Sequence, residues 1–323
     1  MAYKILIPQE IAPEGIAALE KNGHIIKMGT GSGEEDLVRD AADCDAILLR
    51  TAPVTRRVLE AGKKLKIVAR HGAGYNNVDL EAADELGIWV TNAPDSTTNS
   101  VAEFAVGAII AAGKRTALLM QAMRDGDFFF KNSHKGVDLI GKTLTIVGFG
   151  RIGRAVAKKA HYGLDMRIQA YDPYADPKSV PEYVSMVDWE TGFKTADFVS
   201  LHMPLTADSR GCVGKKEFSM MKSSAYFINC ARGEVVNETD LIEAMKEKKI
   251  AGAFLDVLEK EPPSADNPLF FMEDVSLTPH MASNTKECMM QMAVQAASQI
   301  NLVLAGKQPD WPVNHPQLKK AHD

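Results

Sequence analysis

The second half of the chain carries a run of short motifs whose residue types and order suit redox chemistry. They are Gly148-Phe149-Gly150-Arg151-Ile152-Gly153, then Asp172, then Arg232 in Cys-Ala-Arg-Gly, then Glu261, then His280 in Thr-Pro-His-Met-Ala. Gly148 permits a tight turn, Gly150 lets the backbone approach a pyrophosphate, and Gly153 allows close packing of helix on strand. The helix that follows offers its first N–H groups to the anion. Asp172 ends the next apolar run, about 20 residues on, where a carboxylate accepts both ribose hydroxyls of NAD and repels a 2′-phosphate. These residues predict NAD rather than NADP, the bland alternative for Asp172 being an acidic turn residue ahead of Pro173.

Arg232 follows the apolar run 225–230 and so falls at the carboxyl end of a buried strand, where α/β sheets place ligand groups. Its guanidinium can hold a carboxylate bidentately and polarise the adjacent carbonyl. His280 also lies just past a strand, and histidine is the usual proton carrier near neutral pH. Alone, each is as readily a structural arginine or a hydrogen-bonded core histidine. Glu261, in Glu259-Lys-Glu-Pro-Pro, reads by itself as a solvated charge before a turn. Paired with His280 it would orient the ring and favour imidazolium. Asp256, closing the run 252–256, could accept a hydrogen bond from a nicotinamide carboxamide. A fixed cation, a carboxylate and an imidazole are what hydride transfer to a 2-keto acid requires.

The elements that must position these residues follow from periodicity. Short Val/Ile/Leu-rich runs alternate with helix-length segments, the pattern of α/β proteins with doubly wound parallel sheets. Strands are expected over 4–7, 24–28, 46–49, 66–69 and 88–90, then over 144–147, 167–171, 198–202, 225–229, 252–256 and 275–277. Helices are expected over 13–22 and 34–41, one long helix over 99–124, and a last one over 284–305, whose Met289 and Met292 read as helix packing. The glycine motif belongs at the first strand of a dinucleotide-binding unit, so the roughly 140 residues before it form or contribute to another domain.

Composition sets outer bounds. At 323 residues the chain is long enough for two domains, and 46% hydrophobic with 24% charged residues is ordinary for a globular protein. A net charge of −5 without a Lys/Arg run predicts no nucleic-acid partner. The apolar run 104–113 is too short to span a bilayer, and the N-terminus reads as a strand rather than a signal peptide. Cys44, Cys212, Cys230 and Cys288 lack metal-type spacing and suit reduced thiols in a cytoplasm; no metal is expected, and Cys230 reads as a buried strand-end cysteine.

The glycine motif, Asp172, Leu-His-Met-Pro-Leu-Thr at 201–206, Cys-Ala-Arg-Gly at 230–233, Glu-Lys-Glu-Pro at 259–262 and Thr-Pro-His at 278–280 together resemble the D-isomer-specific 2-hydroxyacid dehydrogenases. The resemblance extends to Gly72-Ala-Gly-Tyr-Asn-Asn-Val-Asp and Asn99-Ser-Val-Ala-Glu. It implies a Rossmann NAD-binding domain, 100–282, inserted into a flavodoxin-like substrate domain formed by 1–99 and 283–323. It implies a catalytic triad of Arg232, Glu261 and His280. Gly148, Gly150, Arg151, Ile152, Gly153, Asp172, Pro204, Thr206, Cys230, Ala231 and Asp256 would contact NAD, Asp256 at the nicotinamide. The backbone around Ala73 and Gly74 would bind the substrate carboxylate, and the helix from Asn99 would help build a homodimer. Asn76 stands where an acidic residue is common, and Phe128-Phe-Phe where tryptophan often occurs; both bear on substrate or packing more than on reaction type.

The implied reaction is reduction of a small 2-keto acid, with His280 giving the proton. Arg50 and Arg70, both ending first-half strands, match positions where phosphoglycerate dehydrogenases of this family keep phosphate-binding arginines. A phosphorylated three-carbon acid is thus the leading substrate, in a member without the regulatory domain; ordinary surface ion pairs are the alternative for these arginines. Hydroxypyruvate and glyoxylate remain open, as does a non-enzymatic NAD-sensing protein. A formate dehydrogenase would carry glutamine in place of Glu261.

Overall fold

The computed structural model describes residues 2–316. The chain divides into two compact units, Met1–Thr97 with Asn284–Asp323, and Thr98–Ser283. Both are α/β, each built on a parallel sheet.

In the first unit β1 (Lys4–Ile7), β2 (Ile25–Met28), β3 (Ala46–Leu49), β4 (Ile67–Arg70) and β5 (Trp89–Thr91) form a sheet of order β2-β1-β3-β4-β5, the flavodoxin-like arrangement. Ile5, Leu6, Ile7, Leu48, Ile67 and Val68 are wholly buried. Each contributes roughly 1.5–3 kcal/mol by leaving water, which is why such runs become central strands. Helix α1 (Pro13–Glu20) opens with proline at its first position, α2 (Glu34–Ala41) puts three acids in its first turn, and α3 (Arg56–Ala61) and α4 (Leu80–Leu86) follow. Asp79 caps α4, and Gly87 ends it in the left-handed region at φ 74°. The final helix, α11 (Lys286–Leu304), returns to this unit. A Cβ on Gly15 would lie 2.7 Å from the Ala293 Cβ, so glycine lets α1 and α11 meet almost backbone to backbone.

In the second unit β6 (Thr143–Val147), β7 (Arg167–Tyr171), β8 (Val184–Met186), β9 (Phe198–Leu201), β10 (Tyr226–Asn229), β11 (Gly252–Leu255) and β12 (Val275–Leu277) form a sheet of order β12-β11-β10-β9-β6-β7-β8. Strand order reverses between β6 and β9, the Rossmann switch point where ligands bind. Helices α5 (Thr98–Lys114), α6 (Thr116–Arg124), α7 (Arg151–Leu164), α8 (Trp189–Thr195), α9 (Lys215–Met220) and α10 (Glu238–Lys246) complete this unit. No helix among the described residues is long and apolar enough to cross a membrane.

The long helix expected over 99–124 is in fact two. Arg115 adopts φ 54° between α5 and α6, and the Gly113 carbonyl, which a continuous helix would bond to residue 117, instead accepts the Val137 N–H at 2.8 Å. A tertiary hydrogen bond thus overrides a helical pattern that is unbroken in sequence. Strand β8, at the sheet edge and three residues long, is too short to leave a periodic signal.

Candidate active site

Both halves of the site lie at the carboxyl ends of the second unit's parallel strands. On one side, β6 runs into the glycine turn and α7. Gly148 has φ 95°, and a Cβ there would come within 2.7 Å of the His202 carbonyl carbon. A Cβ on Gly153 would meet the Gly148 oxygen at 2.2 Å, while one on Gly150 would meet nothing within 4 Å. Gly148 and Gly153 therefore answer to close packing, and Gly150 keeps open the space a pyrophosphate needs. No side chain caps α7, whose N-cap is Gly150, so its positive end remains available to an anion. Arg151 and Ile152 open α7, Arg151 exposed and Ile152 packed on the core.

Asp172 follows β7 and is bound into this turn. One carboxylate oxygen accepts the Phe149 N–H at 2.8 Å and the other accepts the Tyr174 N–H at 2.9 Å. Each oxygen keeps a further acceptor site for a ribose hydroxyl. Beside it opens a cavity of about 560 Å³ lined by Tyr171, Asp172, Pro173, Met186 and Asp188 among others. Glycine cradle, helix end, acceptor and cavity fit a dinucleotide. Past β9, Pro204 and Thr206 lie in a turn closed by Ser209, whose hydroxyl donates to the Pro204 carbonyl at 2.8 Å.

His202 was not singled out from sequence. Its backbone abuts Gly148, and its Nε2 lies 2.8 Å from the Ser200 hydroxyl. Loss of water pushes the ring down to about 4, so it is neutral near pH 7.

On the other side are β10, β11 and β12. Past β10 the chain turns through Cys230, Ala231 and Arg232, and buried Asn229 holds that turn by accepting the Ala231 N–H and donating to the Arg232 carbonyl, both at 3.0 Å. Cys230 is buried, which pushes its thiol well above the ordinary range and leaves it inert. The Arg232 guanidinium makes one hydrogen bond, to the Ala231 carbonyl at 2.6 Å, and no carboxylate lies within 4 Å of it among the described residues. Burial lowers its pKa, opposed by the charges of Glu234 and Glu261. A partly buried fork of donors without a counter-ion is arranged to receive an anion.

Glu261 and His280 meet directly, with Nδ1 2.8 Å from a Glu261 oxygen. The other oxygen accepts the Leu258 N–H at 3.1 Å. Burial alone would raise the Glu261 carboxyl, but the His280 hydrogen bond and charge, the Leu258 N–H and Arg232 outweigh it and lower it. With Nδ1 facing the carboxylate, Nε2 is left without a partner among the described residues. The ring is 47% exposed, so substrate and solvent can reach it.

The loops are strapped together by carboxylates bonded to backbone. Glu238 and Glu259 exchange reciprocal bonds from backbone N–H to carboxylate, at 3.1 and 3.0 Å. A Cβ on Gly233 would come within 1.9 Å of the Leu258 carbonyl, so the Arg232 turn sits directly on the segment leading to Glu261. A surface glutamate bonding to backbone carries no sequence signature.

In the first unit, Arg50 directly follows β3 and Arg70 ends β4. Asn77 joins their neighbourhoods, accepting from Arg70 Nε at 3.0 Å and donating to the Arg50 carbonyl at 3.3 Å. Arg50 donates to the Glu10 carbonyl at 2.9 Å and has no ion pair among the described residues. Buried His71 is pushed down to about 4, first by burial and then by the charges of Arg50 and Arg70. Ala73 is held by Asn92, which donates to its carbonyl at 2.7 Å; Gly74 is partly buried beside it.

Residues 106–282 match the family D-isomer specific 2-hydroxyacid dehydrogenase, NAD binding domain. The chain is 40% identical over 319 residues to a D-3-phosphoglycerate dehydrogenase of Methanocaldococcus jannaschii, covering 98% of this chain but only 60% of that longer protein. It is 36% identical to a glyoxylate reductase of Korarchaeum cryptofilum, covering 99% of this chain and 98% of that one. An NAD⁺-bound 3-phosphoglycerate dehydrogenase from Entamoeba histolytica superposes with a TM-score of 0.83 at 29% identity, over 98% of this chain and all of that one. A dinucleotide cradle of NAD type, a partly buried guanidinium and a Glu–His pair on adjoining strand ends, in a chain so matched, place it in the D-isomer specific 2-hydroxyacid dehydrogenase family.

Proposed function

We propose that the chain reduces a small 2-keto acid to the D-2-hydroxy acid with NADH, and runs the reverse oxidation with NAD⁺. The observation that carries this reading is the 2.8 Å contact of Glu261 with His280, on strand ends neighbouring an Arg232 that has no counter-ion. The bound nicotinamide supplies the hydride. Arg232 holds the substrate carboxylate and offsets negative charge developing on the carbonyl oxygen. His280 gives that oxygen a proton from Nε2, and Glu261 stabilises the imidazolium until the proton moves. Gly148, Gly150, Gly153 and Asp172, with Arg151, Ile152, Pro204, Thr206, Cys230, Ala231 and Asp256, are assigned to the cofactor.

The favoured substrate is a phosphorylated three-carbon acid of the 3-phosphoglycerate type, with Arg50 and Arg70 taking the phosphate and the backbone of Ala73 and Gly74 a carboxylate. Support comes from an arginine without ion pair at Arg50 and from two cations close enough to depress His71. A glyoxylate or hydroxypyruvate reductase is the second reading, favoured by a glyoxylate reductase relative matched over 98% of its own length. Steady-state rates on phosphohydroxypyruvate, hydroxypyruvate, glyoxylate and pyruvate decide between them. The first reading predicts a large loss on removing the phosphate, and loss of that preference in Arg50→Ala and Arg70→Ala. Equal rates on glyoxylate and phosphohydroxypyruvate would favour the second, and tight NADH binding without turnover of any of the four would favour an NAD sensor.

We further assign the protein to a reducing, cytoplasmic setting, which its free cysteines fit, and to a homodimer. Phe128 (55% exposed), Phe129 (71%) and Met123 (61%) are exposed apolar side chains on and after α6 that a second copy would cover. Sedimentation equilibrium showing a monomer at micromolar concentration would remove the dimer assignment.

A further inference from the structure

The Asp256 carboxylate, 1% exposed at the end of β11, is spent almost wholly on one short stretch of backbone. One oxygen accepts the Thr278 hydroxyl at 2.6 Å and the Met281 N–H at 2.7 Å, and the other accepts the Ala282 N–H at 2.8 Å. The Asp256 carbonyl accepts the His280 N–H at 2.9 Å. His280, at the centre of this stretch, has φ 54°. That left-handed conformation is one a non-glycine residue keeps only where surrounding contacts fix it.

We propose that Asp256 is a positioning residue: its buried carboxylate folds residues 278–282 into the turn that sets the His280 ring against Glu261. The proposal rests on the reading of His280 as the acid–base residue. The chemistry requires a carboxylate, because the turn presents only donors. An asparagine offers one acceptor and an NH₂ group, so either orientation points that NH₂ at a backbone N–H, of Met281 or of Ala282. The Thr278 hydroxyl can rotate away, but those N–H groups cannot. A buried donor facing a donor is released by opening the turn, and the His280 ring then leaves the 2.8 Å contact with Glu261. The second oxygen accepts one bond within the turn, and Thr278→Val alters the turn without altering the carboxylate, so positioning and cofactor contact are separable in experiment.

The test compares wild type with Asp256→Asn, Thr278→Val and His280→Ala. Its first readout needs neither cofactor nor turnover: the downfield proton NMR signal of an imidazole N–H bonded to a carboxylate, assigned by its loss in His280→Ala. The signal should be lost in Asp256→Asn and weakened in Thr278→Val, with cooperative melting retained. Should Asp256→Asn not fold, Thr278→Val, which removes one donor and no charge, decides the question. At saturating NADH and keto acid, kcat of Asp256→Asn should fall about 100-fold, the scale of a 1 Å misplacement of a reacting group. Adding Glu261→Gln should then cost little more, because the pair is already apart. NADH affinity of Thr278→Val, which changes no residue assigned to the cofactor, should stay within about threefold of wild type. The proposal is overturned if the signal is absent from wild type or stands unchanged in both variants, or if saturating NADH restores wild-type kcat to Asp256→Asn. If wild type turns over none of the four keto acids, the functional reading fails, and the NMR signal still decides the role of Asp256.

Discussion

Replacing Arg232 by glutamine should lower activity and leave stability nearly unchanged. In the free protein the guanidinium has one hydrogen bond, to the Ala231 carbonyl, and no carboxylate within 4 Å among the described residues. Burial disfavours its charge. Removing that charge sacrifices a charge-assisted bond worth roughly 1.5–3 kcal/mol and relieves a desolvation cost of several kcal/mol, which partial exposure brings down to comparable size. Unfolding free energy should thus stay within about 1 kcal/mol of wild type, or roughly 2–4 °C in melting temperature. Catalysis loses two charge-assisted hydrogen bonds to the substrate carboxylate, at roughly 1.5–3 kcal/mol each. At about 1.4 kcal/mol per decade, kcat/KM should fall by roughly two to four orders of magnitude. Arg232→Lys keeps the charge but not the fork, and should recover only part of the loss. The assay pairs urea unfolding with NADH oxidation. A variant that melts many degrees lower, or that retains near-normal kcat/KM, would refute the substrate-clamp argument.

Further outcomes follow from the same structure. Gly148→Ala places a methyl 2.7 Å from the His202 carbonyl carbon at a backbone φ of 95°, and should destabilise by at least about 2 kcal/mol in urea unfolding. Gly150→Ala, with φ −79° and nothing within 4 Å, should change stability by less than about 1 kcal/mol yet weaken NADH binding measured by fluorescence. Asp172→Asn should raise KM for NADH about tenfold and narrow the gap to NADPH, since a carboxylate repels the 2′-phosphate; an unchanged preference would remove Asp172 from the ribose site. Buried His71 titrates at about 4 in the folded chain against an ordinary 6.5. Between those values only the unfolded chain takes up the proton, so stability falls as pH drops through this window, by about 3 kcal/mol in all. His71→Gln should flatten that part of the stability–pH curve; a slope equal to wild type would contradict the assignment.

Features fixed by neighbouring residues are legible in the sequence, and those that depend on distant partners are not. The glycine turn, Asp172 and the strand-end placement of Arg232 and His280 were legible, because each depends on a strand, a turn and a helix start that neighbouring residues specify. The break at Arg115 was not, since it depends on Val137 taking the Gly113 carbonyl from 24 residues away. Asp256 could be read only as a candidate cofactor contact, because its three donors lie beyond the next strand. Glu261 looked like a solvated charge by itself, and only its pairing with His280 gave it a role. The Glu238–Glu259 straps and the hold of Asn77 on Arg70 were invisible for the same reason: a polar side chain bonding across loops leaves no periodicity.

The central claim is hydride transfer to the carbon beside a carboxylate, with His280 supplying the proton. Incubating the protein with NADH carrying deuterium at the transferable position and a 2-keto acid, then resolving the product by chiral chromatography and mass spectrometry, tests it most directly. Wild type should yield the D-2-hydroxy acid with deuterium at C2, and His280→Ala almost none although that variant still binds NADH. Unlabelled or L-product from wild type, or labelled D-product formed by His280→Ala at an undiminished rate, would contradict it.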